Sequence, residues 1–332
     1  MLHITNGDCA AEALVRAGIA PGDVLPWRDV LHEGPVPGGL PLEELSSVRA
    51  RFLSDDGFGD YDDIRGQFYE RDVRVAGSQA EDEVVCWFES DLYDQLQLLQ
   101  VLDWYAEPSH RPLRLSLIQL DLGQDDTFEA AGELEPARVD ELLGARCALA
   151  PDQLEVAQRA WSAYRAPTPR ELEGLWRAGA LESLPCLPDA VHRVLEELPW
   201  LDTGLSRSER SALECLATQP LSASALFAAL RARESRPFLG DAWLWRALEA
   251  LEAGARPLLS RQLSVPGAGI ERSVLALTPA GQALLAGQAR PIEPVERWWG
   301  GTRIRPPDTI WRWDGARERT VEVREADLRG HD

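Results

Sequence analysis

From Val84 to Phe88 the chain reads Val-Val-Cys-Trp-Phe, and it passes through Glu89-Ser90-Asp91 directly into a helical pattern. An apolar run of this length, led by Glu83, reads as a buried strand. Leu92, Leu96, Leu99 and Leu102 then recur at helical spacing as far as about Tyr105. Ser90 or Asp91 is the natural N-cap, because a short oxygen side chain accepts from the free amides of a first turn. The same alternation recurs on both sides. Leu2–Thr5 reads as a strand, Asn6-Gly7-Asp8 as a turn, and Cys9–Ala17 as a helix ended by Gly18. Asp23–Pro26 reads as a second strand, followed by Trp27-Arg28-Asp29 and a loop holding Gly34, Pro35, Pro37, Gly38 and Gly39. A helix is expected from after Pro41 to about Leu53, then an acidic, Gly-rich surface loop over 54–63, and a further strand over Leu113–Leu122. Strands alternating with helices predict an open, mostly parallel, Rossmann-like α/β domain over residues 1–130.

The rest of the chain changes character. Residues 131–204 read as a helical connector, with helices at 136–144, 151–165, 169–178 and 188–198 separated by Pro167, Pro169, Pro185, Pro188 and Pro199. Residues 205–290 carry a different signature. Ser206-Arg207-Ser208-Glu209 is a capping box opening a helix to about Ala217, Ser222–Arg233 is a second helix, and Asp241 is expected to cap a third over Ala242–Ala253. Strands at Leu258–Leu263 and Ser273–Leu277 flank Pro266-Gly267-Ala268-Gly269, and Thr278-Pro279 opens a closing helix. This order predicts a winged-helix-like domain. Residues 291–332 form a Trp- and Pro-rich tail that is expected to fray into charge.

Charge narrows the partners. The net charge of −21 is uneven: residues 1–204 hold 16 Arg against 39 acids, 205–290 hold 10 against 7, and 291–332 hold 8 against 9. The first two-thirds should therefore repel nucleic acid, and only 205–290 is locally basic. There, Trp243, Trp245 and Arg246 on the third helix favour a protein partner or packing within the chain over DNA, since DNA reading wants basic and amide side chains on that helix. Leu248 and Leu251 read as core. All 34 basic residues are Arg, a codon bias expected of a GC-rich genome. The five Cys, at 9, 86, 147, 186 and 215, form no close pair, so neither a disulfide framework nor a zinc site is expected. Met1-Leu2-His3-Ile4-Thr5 is not the start of a signal peptide, and no apolar run approaches a membrane span. These features predict a cytoplasmic location with no membrane partner.

In an open α/β sheet, ligands bind beyond the carboxyl ends of the strands. That rule singles out Asn6-Gly7-Asp8 with His3 on the preceding strand, Trp27-Arg28-Asp29 with His32, Glu33 and Gly34 beyond it, and Glu89-Ser90-Asp91 with Asp94 and Gln95 one turn into the helix. If the three strands are parallel neighbours, Asp8, Asp29, Glu89 and Asp91 converge at one edge with Arg28. Such carboxylates suit a magnesium ion or general-base work, Arg28 suits a phosphate, and the helix starts after Asp8 and Asp91 add amide donors. The same residues also fit plainer roles: Asp8 and Asp91 as N-caps, Asp29 or Glu89 as ion-pair partners of Arg28, His3 as a satisfied strand histidine, Trp87 and Phe88 as core. Gln95 and Gln97 are expected to be solvated or packed on a neighbouring helix. Asn6-Gly7-Asp8 is neither a Walker loop nor a dinucleotide fingerprint, and no Ser sits in a nucleophile elbow.

The string EDEVVCWFESDLYDQLQLLQVLDWY resembles a bacterial family defined by domain of unknown function 1835. HITNGDCAAEAL and VLPWRDVLHEGPVP look like the same family's other motifs, and LTPAGQALLAGQ with the later RWWGG and WRWD is similar to the C-terminal part of its longer members. The resemblance spans nearly the whole chain and implies kinship without an activity. Ser90 stands where the resemblance implies a His. Two functions follow as expectations: an α/β domain that binds or acts on a phosphorylated or nucleotide-like ligand, or a transcription-associated regulator using its winged module.

Overall fold

The computed structural model describes residues 1–120, 130–254, 256–263, 269–293, 295–305 and 310–324. The chain divides into two compact units, one of Met1–His192 with Trp298–Arg303, the other of Arg193–Arg297 with Ile304–Asp332. The helices expected to form a separate connector are thus shared out between the units, most of them joining the α/β unit.

The first unit is built from β1 (Leu2–Thr5), α1 (Asp8–Arg16), β2 (Val24–Pro26), α2 (Leu42–Asp55), α3 (Tyr61–Ala76), β3 (Glu83–Glu89), α4 (Leu92–Ala106), β4 (Arg114–Leu120), α5 (Pro136–Gly144), β5 (Cys147–Ala148), α6 (Pro151–Tyr164) and α7 (Arg170–Arg177). Its sheet has the order β2-β1-β3-β4-β5. The first four strands are parallel, and β5 runs antiparallel to β4. β3 is buried along its whole length, as its apolar run requires. On one face Val85 and Trp87 pack with Ile118, Leu120, Leu14 of α1 and Val139 of α5. Val84, Cys86 and Phe88 are buried on the other.

α3 lies where the sequence pattern shows no clear helix. Its buried face carries Ile64, Phe68 and Val75, but Arg71 and Asp72 interrupt the apolar stripe. The acidic stretch read as a loop over 54–63 therefore contains the end of α2 and the start of α3, with Asp60 accepting from the Asp62 amide as N-cap.

Spanning the division between the units is α8 (Leu187–Leu195). The second unit continues with α9 (Arg207–Leu216), β6 (Leu221–Ser222), α10 (Ala223–Arg231), α11 (Asp241–Ala253), β7 (Leu259–Leu263), β8 (Ser273–Leu277) and α12 (Pro279–Leu285). β6, β8 and β7 form a three-stranded antiparallel sheet with β8 in the middle. Leu213, Leu226, Leu248, Leu259, Leu275 and Leu284 join its helices and strands in one core. Ser206 and Glu209 form the expected capping box, and Thr278 caps α12 ahead of Pro279. Asp241 is not a cap: Gly240 holds that position and Asp241 is the first helical residue. Most of the hairpin tip, 264–268, lies outside the described residues.

The described part of the tail forms strands. β9 (Arg297–Trp299) and β10 (Thr302–Ile304) pair, as do β11 (Ile310–Asp314) and β12 (Arg319–Val323). β11 is buried throughout, because Trp311 and Trp313 fill core space and Arg312 donates to the carbonyls of Trp200 and Ile292. The last residues, 325–332, lie outside the described ones. Among the described residues no helix is long and apolar enough to cross a membrane.

Candidate functional site

Register decides which side chains share the carboxyl edge. Thr5 of β1 lies level with Pro26 of β2 and with Trp87 of β3, so the turns after the three strands emerge side by side. The strand order reverses between β1 and β3, which is where open α/β sheets leave a crevice. The candidate residues around it fall into three separate groups.

At the rim stand Asp8 and Arg28. Arg28 Nε and Nη2 both donate to Asp8 Oδ1, at 2.8 and 2.7 Å, and the two side chains are 39% and 62% exposed. Arg28 has φ 59, a left-handed conformation that costs an L-residue roughly 1–2 kcal/mol. It lets Trp27 and Asp29 turn inward while Arg28 turns out. Gly7 is the N-cap of α1 and supplies no side-chain acceptor to the helix's free amides. A Cβ at Gly7 would meet nothing within 4 Å among the described residues.

Asp29 does not reach the rim. It forms a fully buried ion pair with Arg49 of α2, at 2.9 Å, with both side chains 0% exposed. The same guanidinium donates to the carbonyls of Val30, Glu33 and Pro35, so the loop wraps around it. Gln97 donates to the Asp29 carbonyl, which makes it a buried tether rather than a solvated residue. The Tyr164 hydroxyl donates to the Leu31 carbonyl, and the Gly300 carbonyl accepts from the Val36 amide. Trp27 is core: its Nε1 donates to Gln100 and Arg71 stacks 4.4 Å from its ring. Glu33 contributes its backbone to the Arg49 clamp.

The third group is a buried carboxyl cluster of Glu89, Asp91 and Asp94. Asp91 caps α4 by accepting from the Asp94 amide at 3.1 Å. Asp94 accepts from the Glu89 amide and, at 2.8 Å, from Asn6 Nδ2, which ties the β1 turn to α4. Glu89 Oε1 accepts from the Ala131 amide at 2.8 Å, and its carbonyl accepts from Gln95. Burial, then the Glu89 charge, pushes the Asp91 carboxyl up to about 8. Burial, then the Asp91 and Glu89 charges, hold Asp94 well above the usual carboxylate range. The cluster therefore retains a proton near neutrality.

His3 sits in mid-strand, below this edge. Its Nδ1 accepts from Trp87 Nε1 at 3.0 Å, and burial lowers its pKa to about 4, so it stays neutral. Thus the four acids do not converge on Arg28: Asp8 pairs with it, Asp29 belongs to Arg49, and Glu89 and Asp91 join Asp94 and Asn6. Among the described residues no group of three or more His, Cys, Asp or Glu side chains is arranged to hold a metal ion. Arg49 and Arg71 escaped the sequence reading because an Arg on a helix signals an exposed face unless its buried partner is known.

A comparison with protein-family models finds no match to this chain, and a comparison with curated proteins finds none either.

Proposed function

We propose that the first unit is a Rossmann-like domain that binds or acts on a phosphorylated or nucleotide-like small molecule at the crevice between β1 and β3. One observation carries this reading: Arg28 is held in a left-handed conformation at the rim, beside an α1 N-terminus that lacks a side-chain cap. Residues held in costly backbone conformations cluster at binding sites, and guanidinium groups with free helix amides suit phosphate oxygens. Asn6, Gly7 and Arg28 would contact the ligand, and the proton-bearing Asp91 cluster lies behind Asn6 as a source of acid–base chemistry. Kinship with the domain of unknown function 1835 family belongs to the same reading, since its three N-terminal motifs carry these turns. So does a reducing cytoplasmic setting, which the five free cysteines support.

The test is thermal unfolding of the full chain with nucleotides, sugar phosphates and inorganic pyrophosphate. A ligand at a hundredfold excess over its Kd stabilises by about 2.7 kcal/mol. Stabilisation that disappears in Arg28→Ala is expected. A ligand that stabilises Arg28→Ala as well as the parent protein would remove Arg28 from the site.

A second reading concerns residues 205–290, whose element order and three-stranded sheet support a winged-helix-like module. Arg261 on β7 is engaged by Glu249 and Glu252 of α11, so acids of the third helix already offset a cation of the hairpin. This favours a protein partner over DNA. No association with duplex DNA is expected at low salt, and salt-sensitive binding would reverse that preference.

A further inference from the structure

We propose that the outward face of α3 is a docking surface for a basic amphipathic helix of a partner protein. α3 is apolar on two sides. Ile64, Phe68 and Val75 are buried, while Tyr69 and Val73, one turn apart on the opposite side, remain 55% and 53% exposed. A lone exposed apolar side chain is ordinary, but large ones that share a face on adjacent turns mark an interaction surface. Gly66 and Ala76 are exposed too and extend the line, since residues 66, 69, 73 and 76 recur at alternating steps of three and four.

Gly66 adds an argument of its own. It stands inside the helix, where glycine destabilises relative to alanine. A Cβ there would meet nothing within 4 Å among the described residues, and its backbone is helical, so neither space nor conformation calls for glycine. A glycine on an exposed face lets a second backbone approach closely. Charge then selects the partner. Asp62, Asp63 and Glu70 are exposed on α3, as are Glu43 and Glu44 on the neighbouring α2. The arginines of α3 are engaged within the fold: Arg65 by Ser47 and Glu43, Arg71 by Ser46 and Asp72, Arg74 by Glu81. Arg51 of α2 stacks over the Tyr61 ring at 3.9 Å. An apolar strip rimmed by carboxylates complements a helix whose apolar stripe is flanked by Lys or Arg. A second copy of this chain, with its net charge of −21, would bring like charge to the same rim.

Fluorescence anisotropy of the full chain with labelled synthetic helices tests this. One peptide carries leucines at heptad positions and arginines elsewhere, a second keeps the leucines with glutamates, and a third scrambles the first. Only the arginine peptide is expected to bind, and less tightly as salt rises. Tyr69→Ser and Val73→Ser should each weaken it about tenfold, the scale of an apolar anchor lost from an interface. Gly66→Leu should weaken it as well while raising the thermal midpoint, because leucine is the better helix former. Leu113→Ser, which removes an apolar side chain 81% exposed outside α3, should bind as the parent does. Failure of the arginine peptide to bind, or equal binding by either of the others, overturns the proposal. So does binding that survives in Tyr69→Ser and Val73→Ser, which would reduce it to attraction towards an acidic surface. A stable Gly66→Leu that binds like the parent overturns the close approach at Gly66. Self-association of the parent in light scattering that Val73→Asp abolishes assigns the face to a second copy and overturns the basic partner.

Discussion

Arg28 holds an αL conformation that an L-residue adopts at a cost of roughly 1–2 kcal/mol, while Gly adopts it freely. Its ion pair with Asp8 returns no more than about 1 kcal/mol, since both partners are exposed. Arg28→Gly is therefore expected to leave stability unchanged or raise it by up to about 1 kcal/mol, read from urea midpoints, while abolishing pyrophosphate binding. A large destabilisation would mean that the side chain serves the fold. The pairing could not be read from the sequence. Asp8, Asp29 and Glu89 are all near enough in topology to be its partner, and only the direction in which each side chain leaves the backbone assigns Asp8 to it and Asp29 to Arg49.

The β3–α4 junction is the element on which the buried acids act. Asp91 is raised to about 8, whereas an unfolded Asp titrates near 3.9. Between those values the native state keeps a proton that the unfolded chain gives up. The contribution of this group is fully present below about pH 4 and is lost as pH rises through about 8. His3 has the opposite sign. Its pKa of about 4 lies below its ordinary 6.5, so its contribution is lost as pH falls through that interval. The comparison of variants separates the two. Asp91→Asn keeps a capping oxygen for α4 and removes the titration, so its stability should decline less steeply than that of the parent from pH 4 to 8. Parallel curves in chemical denaturation across that range would show that the proton resides elsewhere in the cluster. At this scale β3 and α4 were legible in advance, because an apolar run and a leucine stripe are local patterns. α3 was not, because Arg71 meets its buried partners Ser46 and the Trp27 carbonyl only in the folded chain.

In the whole molecule, each unit includes part of the C-terminal tail. In the first, Trp299 packs edge-on against Tyr164 at 5.4 Å, and the Gly301 amide donates to the Tyr164 carbonyl. In the second, Trp313 pairs with Trp200, and its amide donates to the Pro199 carbonyl. A chain ending at Arg290 should consequently lose several kcal/mol, since deletion of a single buried Trp side chain costs about 3–5 kcal/mol. An unchanged melting temperature would contradict this placement of the tail. The sequence by itself determined the kind and order of most elements, from the strand–helix alternation of the first 120 residues to the capping box at Ser206 and the Thr278-Pro279 helix start. These are read within a few residues, where spacing and cap chemistry act. Tertiary structure alone decided which candidate acids meet, which arginines are buried, how the connector helices divide and that the tail belongs to the core. Those outcomes depend on partners 20 to more than 100 residues apart, as in Asp29 with Arg49 and Val36 with Gly300, and no local periodicity encodes such pairs.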